Sequence, residues 1–514
     1  MFKSVFTVGF YTLISRILGF IRDIFIASYL GSTVIADAFF VAFRIPNYFR
    51  RIFAEGAFSA AFIPIFSGLT NRSNQAKQAK IFVDHTLSIL FFSIVIIAVL
   101  FHFMMPYVIR GLAPGFLDNT EAYEISLHFA RIVFPYLLFV ALVAMFSSIT
   151  NTYNRFAFGA FAPALLNITF IGCLIFLSPL VATPGHALSY GVIIGGILQF
   201  SLMYFAIYRL GFLPRVVLPK ISNNISKFLK LLFPGMLGAG AIQLNIIVGT
   251  IIASFLPTGS ISHLYYADRI NQLPLAIFGI AMGVALLPTL SNYIKKGLGE
   301  KKIFNIQNRS LEFAVVISLP ATFGIILLAE MIIKIFFEHG EFTTIDSYYT
   351  SRALILFAIG LPAYILIKVM NPSFFAREDT KTPLYVSLIC VIINIIFSLF
   401  LIKYLRETGI ALATSIAAWV NVILLFIILK KRKFIKLDQK IKNNLIKILF
   451  AAIIMGLTTY LIRNLFYMFL NSDNVVIGGL FLMIVIAISI TVFTSTIFML
   501  KIYTIEEIGK YLKK

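Results

Sequence analysis

The sequence has little charge for its length, and this scarcity excludes most soluble protein classes. Charged residues make up 12% of the 514 positions and hydrophobic residues 60%, whereas soluble domains average about 25% and about 45–50%. Strict alternation of apolar and polar residues, the pattern of a membrane β-barrel, is absent, and uninterrupted apolar runs of about twenty residues recur. We therefore predict an all-α polytopic membrane protein.

Residues that build metal or nucleotide sites are also scarce or badly placed. The two cysteines, Cys173 and Cys390, lie in separate apolar runs, so we expect core residues rather than a disulfide or a metal site. The histidines lie near the ends of apolar runs without metal-ligand spacing, and no G-x-x-x-x-G-K-[ST] loop occurs. We expect no cofactor and no nucleotide, so energy has to come from an ion gradient, the membrane potential or mass action.

The charge that is present is mostly positive. There are 43 lysines and arginines against 21 acidic residues, a net charge of +22. The basic residues lie in loops between apolar runs, which favours membrane lipids over nucleic acid as partners. Basic loops alternate with base-poor ones such as LGST and SPLVATPGH. By the positive-inside rule the basic loops are cytoplasmic, which places both termini in the cytoplasm. We count about fourteen spans, and an even number agrees with this orientation.

Two short motifs recur at a shift of about 225 residues. IASYL at 26–30 returns as IASFL at 252–256, and AFIPIFS from Ala61 returns as ALLPTLS from Ala285. Such parallel repeats are typical of transporters that bind substrate between two lobes. We predict lobes at residues 1–226 (six spans and a basic linker) and 227–432 (six spans), followed by a basic loop and two additional helices at 433–514.

The stretch from Thr12 to Phe66 combines apolar helices with an unusual number of charges. A charge near the centre of a membrane helix costs roughly 2.5–3.5 kcal/mol on insertion scales, so these side chains have to face something other than lipid. Five arginines against three carboxylates predict a polar cavity that prefers an anion. The charged residues are Arg16, Arg22, Asp23, Asp37, Arg44, Arg50, Arg51 and Glu55.

Helical spacing groups these charges into two rows. At about 100° per residue, Arg16, Gly19 and Asp23 share one face of the first helix. In the second helix the shared face carries Asp37, Arg44, Tyr48, Arg51 and Glu55. A kink at Pro46 would rotate the later residues, so the spacing leaves open whether Arg50 or Arg51 faces the cavity.

The second half of the chain contributes one conspicuous pair, Asp268 and Arg269, in the motif HLYYADRINQLP. The repeat places this pair in the helix equivalent to the second one. We therefore predict that Asp268 and Arg269 join the substrate-binding residues across the cleft from the Asp37–Glu55 region.

Several of these motifs resemble the MurJ (MviN) family of bacterial lipid II flippases, which belongs to the superfamily of the MATE multidrug exporters. The resemblance covers nearly the whole chain. The motifs that carry it are SRILGFIRD from Ser15, ADAFFVAFRIPNYFRRIFAEGAFSAAFIP from Ala36, APGF from Ala113, NTYNRFAFGAFAPALLNI from Asn151, ASFLPTGSISHLYYADRINQLP from Ala253 and REDTKTP from Arg377.

The resemblance implies a transporter, not an enzyme, that moves the peptidoglycan precursor lipid II from the inner to the outer leaflet of the bacterial inner membrane by alternating access. It implies functional positions at Arg16, Arg22, Asp23, Asp37, Arg50, Glu55 and Arg269, and it favours Arg50 over Arg51. Proteins of cell-wall synthesis are candidate partners. Some relatives bind sodium through acidic residues in the second lobe, but the seventh span here has none.

The residues alone leave three alternatives. An exporter of drugs or other lipid-linked glycans fits the superfamily, although a cavity rich in arginine does not suit cationic drugs. A membrane-embedded glycosyltransferase would need an acidic catalytic residue in a sizeable outer loop. The outer loops here are short, and their only acidic cluster is Asp118, Glu121 and Glu124. A scaffold for cell-wall assembly would tolerate reversal of the cavity charges.

Overall fold

The computed structural model describes residues 2–54, 57–70, 76–276, 280–297, 299–466 and 474–503. Every regular element in these ranges is helical, which confirms the predicted all-α class. Apolar side chains dominate the helices because a backbone in lipid has to satisfy its own hydrogen bonds, and a helix does so within one segment.

Contacts divide the chain into two compact units. Unit 1 comprises residues 1–262 and 340–342, and unit 2 comprises residues 263–339 and 343–514. Contacts between residues do not test whether the sequence contains a repeat. The lobes predicted at 1–226 and 227–432 and the additional segment at 433–514 therefore stay a prediction.

Unit 1 is built from nine helices within the described ranges, and a tenth begins in it. In chain order they are α1 (Phe2–Leu30), α2 (Val34–Ala54), α3 (Ala57–Thr70), α4 (Ala76–Leu112), α5 (Thr120–Val133), α6 (Tyr136–Thr152), α7 (Ala157–Gly172), α8 (Pro184–Tyr208), α9 (Asn223–Ser254) and the first turn of α10 (Ser260–Pro274).

Unit 2 contains the remainder of α10 and six further helices among the described residues. They are α11 (Ile280–Lys295), α12 (Glu300–Phe337), α13 (Thr344–Phe375), α14 (Lys381–Lys431), α15 (Gln439–Leu465) and α16 (Val475–Met499). Helices α15 and α16 pack on α12 through apolar side chains such as Met455, Leu328 and Leu482.

Nine segments of the described chain are long and apolar enough to cross a membrane. One of them, α14, has 51 residues and contains non-helical backbone angles at Arg406, so it consists of two helices joined at a bend. The charged helix α2 is not among the nine. The predicted number of about fourteen spans therefore stays a prediction.

Aromatic rings fix α2 and α9 in unit 1. Phe49 of α2 meets Phe101 and Phe134 with ring centroids 5.5 and 5.9 Å away. Phe228 of α9 meets Phe58 and Phe62 of α3 at 5.3 and 6.3 Å. Such pairs prefer edge-to-face geometry and add directional contact to apolar burial. They hold the two helices that carry most of the candidate site.

Candidate anion-binding site

Arg22 of α1 is held by a set of polar and aromatic partners inside unit 1. Its Nη2 donates to Asp23 Oδ1 at 2.7 Å, and its Nη1 donates to Asn167 Oδ1 at 2.8 Å. The guanidinium carbon lies 5.7 Å from the centre of the Phe170 ring, a cation–π distance. These contacts offset much of the cost of placing a charge on a membrane helix.

Asn167 of α7 is a residue that the sequence analysis did not single out. It lies 6% exposed, and its Nδ2 donates to the Ser15 carbonyl at 2.9 Å while its Oδ1 accepts from Arg22. A Cβ on Gly19 would come within 3.3 Å of Asn167 Nδ2, so a glycine lets α1 approach this amide closely. The only sequence signal was an amide inside the otherwise apolar run PALLNITF.

Asp37 of α2 binds the N–H groups at the start of α10. Its Oδ2 accepts from the Gly259 N–H at 2.7 Å, and its Oδ1 accepts from the Ser262 N–H at 2.8 Å and the Ser262 hydroxyl at 2.6 Å. A carboxylate is stabilised there by the exposed donors and the positive end of the helix dipole. Asp37 is 3% exposed, and in this structure it acts as a cap for α10.

One face of α2 is directed at α9. Arg44 Nη1 donates to the Thr250 hydroxyl, and Tyr48 approaches the same hydroxyl at 3.4 Å. One helical turn further, Arg51 Nη1 donates to Gln243 Oε1 at 3.2 Å. Arg44, Tyr48 and Arg51 thus share a face, as the spacing predicted. The partners on α9 are neutral, so these hydrogen bonds orient the guanidinium groups without cancelling their charge.

Arg50 has a different neighbour from Arg51. Its Nε donates to Asn47 Oδ1 at 3.0 Å, within the same helix. Glu55, which the spacing places on the α2 face, lies outside the described residues. Between residues 12 and 54, α1 and α2 carry five arginines and two aspartates, an excess of three positive charges. With Glu55 the excess is two, and the anion preference inferred from the sequence stays a prediction.

Arg16 is exposed at the edge of a cavity of about 430 Å³ in unit 1. Hydroxyl and amide groups line this cavity, and Phe156 adds an aromatic face. The polar lining residues are Thr12, Ser15, Arg16, Ser147 and Asn151. The last of these opens the motif NTYNRFAFGAFAP, whose Gly159, Ala160 and Pro163 form the rest of the wall.

The second predicted pair lies in unit 2. Asp268 accepts a hydrogen bond from Gln272 one turn along α10, and its Oδ2 is 3.8 Å from Arg269 Nη2. The Arg269 guanidinium lies 4.7 Å from the centre of the Tyr265 ring. Both side chains are partly exposed, at 37% and 28%, so each can meet a ligand. Their role in substrate binding stays a prediction.

Comparison with known proteins identifies the family. The sequence model of a family described as "Lipid II flippase MurJ" matches residues 26–497. The chain is 37% identical over 513 residues to a probable lipid II flippase MurJ of Rickettsia prowazekii, covering 99% of this chain and 100% of the relative.

Solved structures agree with this result. A lipid II flippase MurJ in an inward closed conformation superposes with a TM-score of 0.79 at 30% identity, over 95% of this chain and 97% of that one. An inward-facing multidrug resistance MATE family transporter of the MOP superfamily gives 0.70 at 14% identity, over 81% and 94%, which shows a shared fold. The chain belongs to the lipid II flippase MurJ family.

Proposed function

We propose that this protein is a lipid II flippase of the bacterial inner membrane. It would carry the undecaprenyl-pyrophosphate-linked disaccharide peptide from the inner to the outer leaflet by alternating access. The observation that carries the proposal is the arginine-bearing face of α2, oriented by α9, in a chain of this family. The family makes the protein a transporter rather than an enzyme, and it supports a multi-pass location in the inner membrane.

The pyrophosphate of the substrate suits these arginines. It offers at least two negative charges and planar oxygen edges that match bidentate guanidinium groups. At an effective dielectric constant of about 20, a close pair of opposite charges contributes roughly 4 kcal/mol before desolvation. Arg44 and Arg51 donate to a hydroxyl and an amide of α9, and Arg22 donates to the Asn167 amide as well as to Asp23, so a phosphate could replace a neutral acceptor at each arginine.

The rest of the headgroup is rich in hydroxyls and amides. The cavity beside Arg16 presents the same chemistry, with Ser15, Ser147 and Asn151 as hydrogen-bonding groups and Phe156 as a flat apolar face. We assign this cavity to part of the headgroup. Asp268 and Arg269 of unit 2 remain proposed contacts for the same ligand.

The prenyl tail needs an apolar surface, and unit 2 has one. A cavity of about 500 Å³ lies between α10, α12 and α16, with an almost entirely apolar lining that includes Leu273, Phe336 and Leu480. A prenyl chain has no hydrogen-bonding groups, so an apolar lining leaves no buried polar atom unpaired against it. We propose that the tail lies against α16 together with α10 and α12.

Orientation and energy supply are parts of the same proposal. The alternation of basic and base-poor loops supports cytoplasmic termini. An ion gradient or the membrane potential would supply the energy, because the sequence has no phosphate-binding loop. Lipid II and membrane lipids are the proposed ligands, with proteins of cell-wall synthesis as candidate partners.

Complementation tests the function. A strain depleted of its own lipid II flippase receives the wild-type chain, Arg22→Ala, Arg50→Ala or Arg269→Ala, with membrane expression measured for each. Arg209→Ala, at an exposed arginine after α8, is the matched control. We expect rescue by the wild type and the control, and loss of rescue in the other variants. A well-expressed wild type that fails to rescue contradicts the function, and rescue by every variant supports the scaffold alternative.

A further inference from the structure

A buried histidine lies between two carboxylates in unit 2. His263 of α10 places Nε2 3.2 Å from Asp346 Oδ1 and Nδ1 3.3 Å from Glu407 Oε1. Asp346 lies in the first turn of α13, and Glu407 follows the bend of α14. His263 is 5% exposed and Glu407 3% exposed, so water does not screen the cluster effectively.

The protonation state of His263 follows from the number of hydrogen bonds that an imidazole ring can donate. A neutral ring has one N–H donor and one lone pair, whereas a charged ring has two N–H donors. Both ring nitrogens of His263 face a carboxylate oxygen, and an ionised carboxylate only accepts. A neutral ring would therefore direct a lone pair at an anionic oxygen.

The contacts of the second Asp346 oxygen, Oδ2, favour the ionised form of this carboxylate. Its Oδ2 accepts from the Thr343 N–H at 2.7 Å and from the Thr343 hydroxyl at 2.9 Å, which completes the cap of α13. Two donors to Oδ2 favour the charged carboxylate. Asp346 therefore does not hold the additional proton, and the positive charge of the adjacent Arg406 favours an ionised Glu407, which leaves the proton on the ring of His263.

We propose that His263, Asp346 and Glu407 form a proton-binding site, in which a charged His263 donates Nε2–H to Asp346 and Nδ1–H to Glu407. The ligand is a single proton. The site joins the start of α10, the start of α13 and the bend of α14, and it does not depend on the transported substrate.

Other titratable groups nearby are few among the described residues. Tyr349 of α13 stacks on the His263 ring with centroids 5.5 Å apart, and Arg406 is the neighbour of Glu407 in the chain. Glu338, at the end of α12, accepts a hydrogen bond from Thr344 beside the α13 cap. Two carboxylates and one charged ring leave a net charge of −1 at the core of the cluster, with Arg406 beside it.

The backbone at the bend positions one of the carboxylates. Arg406 has φ 49° and ψ −136°, a region that residues other than glycine rarely occupy. The chain is tightly packed after the bend, because a Cβ on Gly409 would lie 2.8 Å from the Leu401 carbonyl carbon. This tight turn directs Glu407 into the protein. The contact of Glu407 with the charged His263 ring offsets the cost of the strained backbone at Arg406.

Loss of the proton would leave one buried and one partly exposed carboxylate facing a neutral ring. Stabilisation from the proton is complete at low pH, where unfolded histidine is also charged, and disappears as pH rises through the value at which folded His263 loses its proton. The three joined segments should then separate more easily.

The first test compares thermal unfolding of the purified full chain in detergent between about pH 6 and pH 9. In His263→Gln the amide donates to one carboxylate and cannot carry a charge. We expect the wild-type Tm to fall by about 3 °C or more relative to His263→Gln over this range. His339→Gln is the control, because the His339 ring contacts a neutral group, the Ile335 carbonyl, 3.0 Å from its Nε2. Equal pH slopes in wild type and His263→Gln would overturn the proposal.

A second measurement does not depend on the fold of that variant. In the wild-type chain labelled with ¹⁵N-histidine, solid-state NMR should show one doubly protonated ring at about pH 7.5, one unit above the ordinary histidine pKa of ~6.5. Glu407→Gln, which preserves the shape of the side chain, should convert that signal to a neutral ring. A wild-type spectrum that contains only neutral rings at this pH contradicts the site.

Discussion

Arg22 illustrates how single residues of this protein hold a charge inside an apolar helix. Its partners are an adjacent carboxylate, a buried amide and an aromatic face, supplied by Asp23, Asn167 and Phe170. Asp23 neutralises part of the charge, whereas Asn167 fixes the direction of the guanidinium without neutralising it. The orientation of the Arg22 guanidinium and the net charge around it are therefore controlled by different side chains.

This division predicts different effects for two substitutions of Asn167. Asn167→Ala removes the acceptor for Arg22 and the donor to the Ser15 carbonyl, and it should cost about 1–3 kcal/mol of stability. Asn167→Asp keeps an acceptor for Arg22 and adds a negative charge. It also loses the donor to the Ser15 carbonyl, so it should be at least as destabilised as Asn167→Ala, while its charge should weaken lipid II binding at least tenfold, or about 1.4 kcal/mol, relative to Asn167→Ala.

Thermal unfolding and equilibrium binding of lipid II measure the two effects separately. Asn305→Ala, at an exposed amide on α12, is the control and should change neither quantity. Equal lipid II affinity in folded Asn167→Asp and Asn167→Ala variants would show that Arg22 does not meet the anion.

Sequence spacing predicted which α2 residues share a face, because helical geometry fixes the angle between neighbours. It could not predict their partners. Thr250 and Gln243 lie 206 and 192 positions away from Arg44 and Arg51, and Asn167 lies 145 positions from Arg22. Such pairs arise from helix packing, which a single sequence does not encode in a periodic form.

Among the elements, α14 combines two helices around one strained residue. A glycine at position 406 would relieve the unusual backbone angles, whereas an alanine would remove the arginine side chain and keep the strain. We predict that Arg406→Gly is more stable than Arg406→Ala by about 1 kcal/mol. Thermal unfolding of the two variants checks the difference, and equal stabilities would show that the bend is not strained.

The start of α15 depends on a charged cap. Asp438 Oδ1 accepts from the Ile441 N–H at 2.7 Å, and its Oδ2 accepts from Arg309 Nη2 at 2.6 Å. Burial raises the pKa of this carboxyl, but the Ile441 N–H and the Arg309 guanidinium outweigh it and hold the pKa below its ordinary value. The carboxylate therefore contributes stability above the unfolded pKa of about 3.9, and this contribution is lost as pH falls through the lower folded value.

Asp438→Asn isolates the charge, because asparagine is also a good helix cap. We predict that the variant is less stable than the wild type at neutral pH by about 1 kcal/mol or less, since the carboxylate is 40% exposed and screened by water. The difference should vanish once the wild-type carboxyl is protonated. Tm measured from neutral pH to about pH 3 tests this, with Asp118→Asn as an exposed control. A difference that does not change with pH would contradict the role of charge.

At this scale the apolar runs predicted the helices well, because length and hydropathy are properties of each segment. Two features of the helices could not be predicted from the sequence. Pro46 marked a disturbance in α2, yet the helix continues through it to Ala54. Lys403, Arg406 and Glu407 interrupt the apolar run and predict a break between two spans, but they do not show that the two helices meet at a bend rather than a loop.

For the whole molecule, substrate identity came from resemblance rather than from periodicity. Composition and charge gave a helical membrane protein with an anion-preferring site, a description that many transporters share. The motifs from Ser15 to Arg377 narrowed it to one family, which the comparisons then confirmed. Chain-wide features such as the net charge of +22 concern membrane orientation and do not select the ligand.

The central claim is that the arginine face of α2 binds the pyrophosphate of the substrate. It is tested most directly by measuring the affinity of the purified chain in lipid nanodiscs for undecaprenyl pyrophosphate and for undecaprenol, which share the tail. We predict that the pyrophosphate binds at least tenfold more tightly, or about 1.4 kcal/mol. The preference should largely disappear in Arg44→Gln/Arg51→Gln. Equal affinities for the two lipids in the wild type, or an unchanged preference in the folded double variant, would contradict it.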